Sequence, residues 1–228
     1  MGFPLSEEAS FVAPGRPWWS RQLELIVVIL LGIVSVATAY TSFQSSLYGG
    51  RSDDKISQSQ GAATSAESLY LEGNQQFVLD AQTVQQLALL QVGIDAGDPL
   101  AQAQYDQLFF IAVSEDLEAA MANAAELDEA DPGFWHDPQS DEEYLSALFG
   151  GYVEESERAD TLRAEGDALG LKGDTLGLYT ALLAITLFLL GIAAVVRRPL
   201  VQWVLIGTGG AIFLVTLVLT AMIPFVWL

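Results

Sequence analysis

The densest set of groups able to do chemistry lies between Glu126 and Glu143, where Glu126, Asp128, Glu129, Asp131, Asp137, Asp141, Glu142 and Glu143 surround His136. A hard cation such as Ca2+ takes about six to eight oxygen ligands. Asp128, Glu129, Asp131, Asp137 and Asp141 are therefore the candidate ligands of a weak divalent cation site, the only cofactor chemistry the chain suggests. The spacing is not that of an EF-hand: after Asp128 the alternating acidic positions fail at Ala130, and Gly133 stands one place early. His136 is the only histidine. Neither a Ser-His-Asp order nor a second histidine at metal-ligand spacing accompanies it. A solvated acidic loop is the simpler reading, and no catalytic set emerges.

Two other constellations invite a chemical reading. Ser35, Thr38 and Thr41 recur on one side of an apolar stretch, where hydroxyls could line a cation path beneath an acidic vestibule; they suit helix packing equally. Gly207-Thr208-Gly209-Gly210 lies inside another apolar stretch and lacks the lysine that a phosphate-cradling loop requires. It reads as a packing notch.

These groups sit on a chain whose apolar residues, 51% of the total, are gathered into blocks. A bilayer core about 30 Å thick is crossed by roughly 20 apolar helical residues, because lipid offers backbone groups no partner. Three blocks qualify. They predict transmembrane helices over residues 24–43, 176–196 and 201–227, with a cytoplasmic segment over 1–23 and a cytoplasmic turn over 197–200. A signal peptide is the rival reading of the first block, since Ala37-Thr38-Ala39 resembles a cleavage site. Arg16 and Arg21 precede that block, and Arg197-Arg198 lie between the other two. The positive-inside rule puts both segments in the cytoplasm, so residues 44–175 and the C-terminus are expected outside it.

All of the 29 carboxylates except Glu7, Glu8 and Glu24 fall in 44–175. These 26 face five cations, Arg51, Lys55, Arg158, Arg163 and Lys172, for a net charge of −21. Nucleic acid and anionic lipid surfaces would be repelled by that segment. Cations, basic partners or a high-salt habitat suit it. With no cysteine in the chain, disulfides and thiolate chemistry are excluded and packing alone must hold the domain.

The segment reads as helical throughout. Ala62, Ala66, Leu69, Gly73 and Phe77 form a helical seam that Val84, Ala88 and Gln91 extend, with Gln75, Gln82, Gln85 and Gln86 outside it, up to a stop at Gly93 to Gly97. Asp98-Pro99 predicts a second helix to about Asp128, with Leu100, Leu108, Ile111, Leu117, Met121 and Leu127 on its apolar face. A capping box at Ser140-Asp141-Glu142-Glu143 opens a third. Its seven-residue repeat runs Leu148, Glu155, Leu162, Leu169, Leu176 in one column and Tyr152, Ala159, Gly166, Gly173, Thr180 in the other. No proline interrupts the repeat at the membrane boundary, so this helix is expected to continue into the second span. Gly166, Gly170, Gly173, Gly177 and Ala181 make small-xxx-small patterns that admit a close neighbour, either the first helix or another subunit. The fold class is all-α: an integral membrane protein with three transmembrane helices and an extracytoplasmic helical bundle continuous with them.

The passage Ala39-Tyr40-Thr41-Ser42-Phe43-Gln44-Ser45-Ser46-Leu47-Tyr48-Gly49-Gly50 resembles the end of the first span in a group of uncharacterised prokaryotic membrane proteins, which carry an aromatic-Gln pair followed by a tryptophan and a glycine there. The resemblance implies one N-terminal span, an alanine-rich helical domain and a C-terminal two-span hairpin. The chain departs from the group in having Tyr48 for the tryptophan, and Tyr105-Asp106-Gln107-Leu108-Phe109 where the group has a basic segment. The glycine-lined repeat and the lack of a catalytic set predict a non-enzymatic, oligomeric membrane protein in contact with lipid, whose outer domain meets itself or another envelope protein. The alternative is an oligomeric cation channel.

Overall fold

The computed structural model describes residues 18–196 and 198–227; the side chains of residues 18–21 and of residue 24 are not among the described features. The positions on which the cytoplasmic charges rest, Arg16, Arg21 and Arg197, thus lie outside the described residues or side chains. Five α-helices follow in order: α1 (Trp18–Asp95), α2 (Ala101–Ala112), α3 (Glu115–Ala130), α4 (Glu142–Val195) and α5 (Pro199–Ala221), with a 3-10 turn at Pro138–Ser140 before α4. No strand occurs among the described residues. The protein is all-α.

Three of these helices, α1, α4 and α5, are long and apolar enough to cross a membrane, with peak mean hydropathy of 2.3, 2.4 and 2.2. Only 17 to 22% of each apolar window is buried by protein. Lipid suits the remainder, because exposing that apolar surface to water is unfavourable. This is the pattern of a multi-pass membrane protein.

The chain divides into two units, an apolar one comprising Met1–Arg51 with Leu169–Leu228 and an acidic one comprising Ser52–Ala168. In the apolar unit, Val34, Leu183, Leu190 and Phe213 form a buried cluster flanked by Leu30, Leu31 and Ile206. Gly209 is buried with the Leu190 side chain against it, while Gly207 and Gly210 face open space, so one glycine of the notch is used for packing. A second cluster joins Tyr48, Leu176 and Val226. Here α5 stops at Ala221, short of the expected Trp227. Pro224 supplies no amide hydrogen and biases its predecessor away from helix, so the apolar run continues as non-helical chain.

In the acidic unit the C-terminal part of α1 packs along the N-terminal part of α4. The expected seam holds at Ala62, Ala66 and Gly73, but it continues through the buried Asp80, Thr83 and Leu87, while Ala88 and Gln91 are exposed. The single helix expected from Asp98 to Asp128 is two helices. The chain turns extended at Val113 and Ser114, and the Ser114 hydroxyl accepts from Leu117 N at 3.2 Å to start α3. That break leaves Leu100, Ile111 and Leu127 exposed, while Leu117 is fully buried with Ala120 and Tyr144. At α4 the cap is Asp141 rather than Ser140. Its Oδ1 accepts from Glu143 N and Tyr144 N at 2.9 and 3.0 Å, while Ser140 belongs to the preceding 3-10 turn.

Candidate functional site

Each carboxylate of the acidic loop that sequence offered to a cation is turned onto a local donor, with one exception. Asp137 Oδ1 accepts from Gln139 N at 3.0 Å, and Asp131 Oδ1 from Gly133 N at 3.4 Å. Asp141 caps α4 and also accepts from Asn123 Nδ2; these donors hold its carboxyl below the usual carboxylate range, the Tyr144 amide most of all. Asp128 Oδ1 meets both the backbone N and the ring Nδ1 of His136 at 2.8 Å. The bond to the His136 ring, then that to its backbone, lowers the Asp128 pKa. Glu129 is exposed. No group of three or more His, Asp or Glu converges closely enough to hold a metal ion among the described residues.

The loop borders an open cleft of about 370 Å³ that includes Phe134, Trp135, His136, Asp137 and Asp141. Asp128 is the side-chain partner of His136, so the ring is oriented as a loop staple rather than toward a nucleophile.

A polar constellation that sequence reasoning missed lies beneath this loop. Asp80 is 1% exposed and accepts from Gln76 Nε2 and from the Tyr144 hydroxyl, both at 2.8 Å. Burial and the Asp80 carboxylate push the Tyr144 phenol well above its usual pKa. Gln139 Nε2 donates to Phe77 O at 3.0 Å and ties the 3-10 turn to α1. A signal for Asp80 was present: it stands seven residues after Gly73 in the same column, hidden by its polar type.

The proposed pore residues do not share one surface. Ser35 is exposed, Thr38 half-buried and Thr41 buried. Thr38 and Thr41 donate to the carbonyls of Val34 and Ala37 at 2.7 and 2.9 Å, satisfying their hydroxyls within α1. By contrast, the buried hydroxyls of Thr216 and Thr220 have no hydrogen-bond partner.

The glycine column is occupied from within the chain. In the apolar unit, a Cβ on Gly173 would lie 3.3 Å from both Ser45 O and Gly49 N, and Ser45 Oγ donates to Gly173 O at 2.7 Å. In the acidic unit, a Cβ on Gly166 would strike the Ile56 side chain, and Ser52 Oγ donates to Gly166 O at 2.8 Å. Ser59 Oγ makes the same bond to Ala159 O at 2.7 Å. Gly170 is half-buried, and Gly177 and Ala181 are exposed. Packing thus follows the seven-residue column, not the four-residue spacing.

The most built-up polar site is a clasp in the apolar unit. Its residues belong to the passage Ala39 to Gly50 and its immediate continuation. Gln44, 2% exposed, donates from Nε2 to Val226 O at 3.2 Å and accepts at Oε1 from Val226 N at 3.1 Å. Its amide thereby copies the pairing of a neighbouring strand. One turn further, the Tyr48 hydroxyl donates to Pro224 O at 2.7 Å, and Arg51 donates to Trp227 O. One turn before, Tyr40 stacks on Phe225 at 6.2 Å between centroids, and Phe225 meets Trp227 edge-on at 4.6 Å. Tyr40, Gln44, Tyr48 and Arg51 form one stripe of α1 and hold the non-helical segment after α5. No family model, curated protein or solved structure matches this chain.

The acidic unit leaves large apolar side chains uncovered. Phe110 is 89% exposed, Ile111 70%, Leu89 68% and Val92 66%, with Leu71, Val78 and Leu79 also open. Burying such a side chain is worth about 1.5 to 3 kcal/mol. Of these, Val78, Leu89 and Val92 share one face of α1, and that face fits a contact surface.

Proposed function

We propose that the protein is a non-enzymatic, multi-pass membrane protein that works by assembly. Its acidic helical unit lies outside the cytoplasm, continuous with the spans through α1 and α4, and meets a second copy or another envelope protein. The observation that carries this reading is the uncovered apolar surface of the acidic unit, on a chain whose loop aspartates and sole histidine are engaged in local structure. The arginines before the first span and between the second and third support the orientation. The passage Ala39 to Gly50 supports placing the chain with the three-span membrane group it resembles.

Native mass spectrometry of the full chain, released from nanodiscs and from its source membrane, tests the proposal. Homo-oligomers or a stoichiometric protein partner are expected. Monomers alone at every concentration and salt would overturn it.

A further inference from the structure

We infer that the face of α1 from Gln75 to Val92 is a self-association seam that pairs two or more copies of this chain in parallel and in register. The inference rests on the self-assembly branch of the proposed function. Gln75, Val78, Gln82, Gln85, Leu89 and Val92 are all exposed and follow one another at alternating spacings of three and four, the period of a coiled-coil seam. At 3.6 residues per turn, they lie on the side of the helix opposite the buried Ala66, Gly73, Asp80 and Leu87. The helix therefore carries two seams, one filled by the protein itself.

Charge selects the occupant. The segment 44–175 has a net charge of −21, yet neither the seam nor its flanking positions, Asn74, Leu79, Ala81, Gln86 and Ala88, carries any charge. A basic partner would gain its attraction on the acidic faces of α3 and α4. A second copy brings the same negative charge and can approach closely only where there is none. Glutamine fits this partner as well. Its amide both donates and accepts, so identical residues facing one another across a symmetry axis satisfy each other. Copies inserted alike in one membrane are parallel, which brings each seam residue opposite its own counterpart.

The start of the seam supplies a control by salt. Glu67 and Glu72 occupy flanking positions just before Gln75. In a parallel pair, Glu67 of one copy lies beside Glu72 of the other, a like-charge contact that weakens as salt shortens the screening length to about 8 Å at physiological strength and about 3 Å at 1 M. Assembly should therefore increase with ionic strength, and Glu72→Gln should lower the salt needed.

The absence of cysteine makes the test direct. A disulfide forms only when the two Cα atoms approach to about 4.4–6.8 Å. Full-length Gln82→Cys in micelles, mildly oxidised, is expected to give disulfide-linked dimers, whereas Glu154→Cys on the exposed face of α4 is not. Val78→Glu with Leu89→Glu should weaken association at least tenfold with helicity unchanged, since both sites are exposed. Oligomers seen by native mass spectrometry without cross-linking of the Gln82→Cys variant, or with equal cross-linking of the Gln82→Cys and Glu154→Cys variants, would overturn the seam and leave the broader proposal standing. Monomers alone under all conditions would overturn both.

Discussion

Replacing Gln44 with methionine keeps the length and most of the volume of the side chain while removing both bonds to Val226. The change leaves an N–H and a C=O, each now buried without a partner. A buried polar group stripped of its partner costs about 1 to 3 kcal/mol. The helices need not bear that cost, because the segment after Ala221 can lift away and let water satisfy Val226. The release is resisted by the Tyr48 and Arg51 bonds and by the Tyr40–Phe225 stack, which survive the substitution. Taking about 1 kcal/mol for each lost bond, the opening equilibrium shifts by about 2 kcal/mol, or roughly 30-fold. Amide hydrogen exchange in micelles, read on the peptide covering Phe225 to Trp227, measures this equilibrium. Exchange should rise about 30-fold there and stay unchanged in the α4 core around Leu183 and Leu190. Exchange within about twofold of the parent would show that the amide does not hold the segment. A rise spread equally over α4 would refute the local nature of the clasp.

At Gly73, an added Cβ would sit 2.5 Å from the backbone oxygen of Leu148, so Gly73→Ala should force α1 and α4 apart and cost about 1 to 3 kcal/mol, measured by thermal unfolding in micelles. Thr216→Val should have the opposite sign, raising stability by about 1 kcal/mol, because the buried hydroxyl it replaces has no partner. Ionisation bounds the acidic unit from both sides. The raised Tyr144 phenol means its contribution is intact below the ordinary tyrosine value of about 10 and lost as pH rises from there through its folded value, and Tyr144→Phe should remove that alkaline loss in near-ultraviolet circular dichroism. The lowered Asp128 carboxyl means its contribution is present above about pH 4 and lost as pH falls through its folded value, which Asp128→Asn should abolish in the same assay.

The helical class, the three long apolar helices and the continuity of α4 were legible because each rests on a repeat that local chemistry enforces. Four glycines in a helix cost roughly 1 kcal/mol each unless something close offsets them, and that alone announced a tight neighbour. What α4 by itself could not say was which neighbour. The other half of the pattern stands in α1, where Ser45, Ser52 and Ser59 recur every seven residues and donate to Gly173, Gly166 and Ala159. Within the acidic unit, the step of seven from Ser52 to Ser59 up α1 is a step of seven from Gly166 to Ala159 down α4, the signature of antiparallel pairing. It becomes readable only when the two helices are compared, because a lone serine column on an alanine-rich helix looks like filler. The break at Ser114 was silent for a related reason: neither glycine nor proline marks it, and the hydroxyl acts only once the chain has turned. The clasp lay furthest from view. Gln44 and Val226 are 182 residues apart, and nothing beside Gln44 states that a non-helical segment needs its amide. The buried glutamine was still a usable clue, since an amide at the end of an apolar span must find both a donor and an acceptor, and the proline that ends α5 frees a backbone able to offer them. The two faces of α1 also differ in how their polar groups are met. The serine and glutamine of the buried side have partners inside the chain, whereas Gln75, Gln82 and Gln85 stand exposed on the other. Three amides at coiled-coil spacing on that uncharged face are the residues whose pairing a second copy would complete.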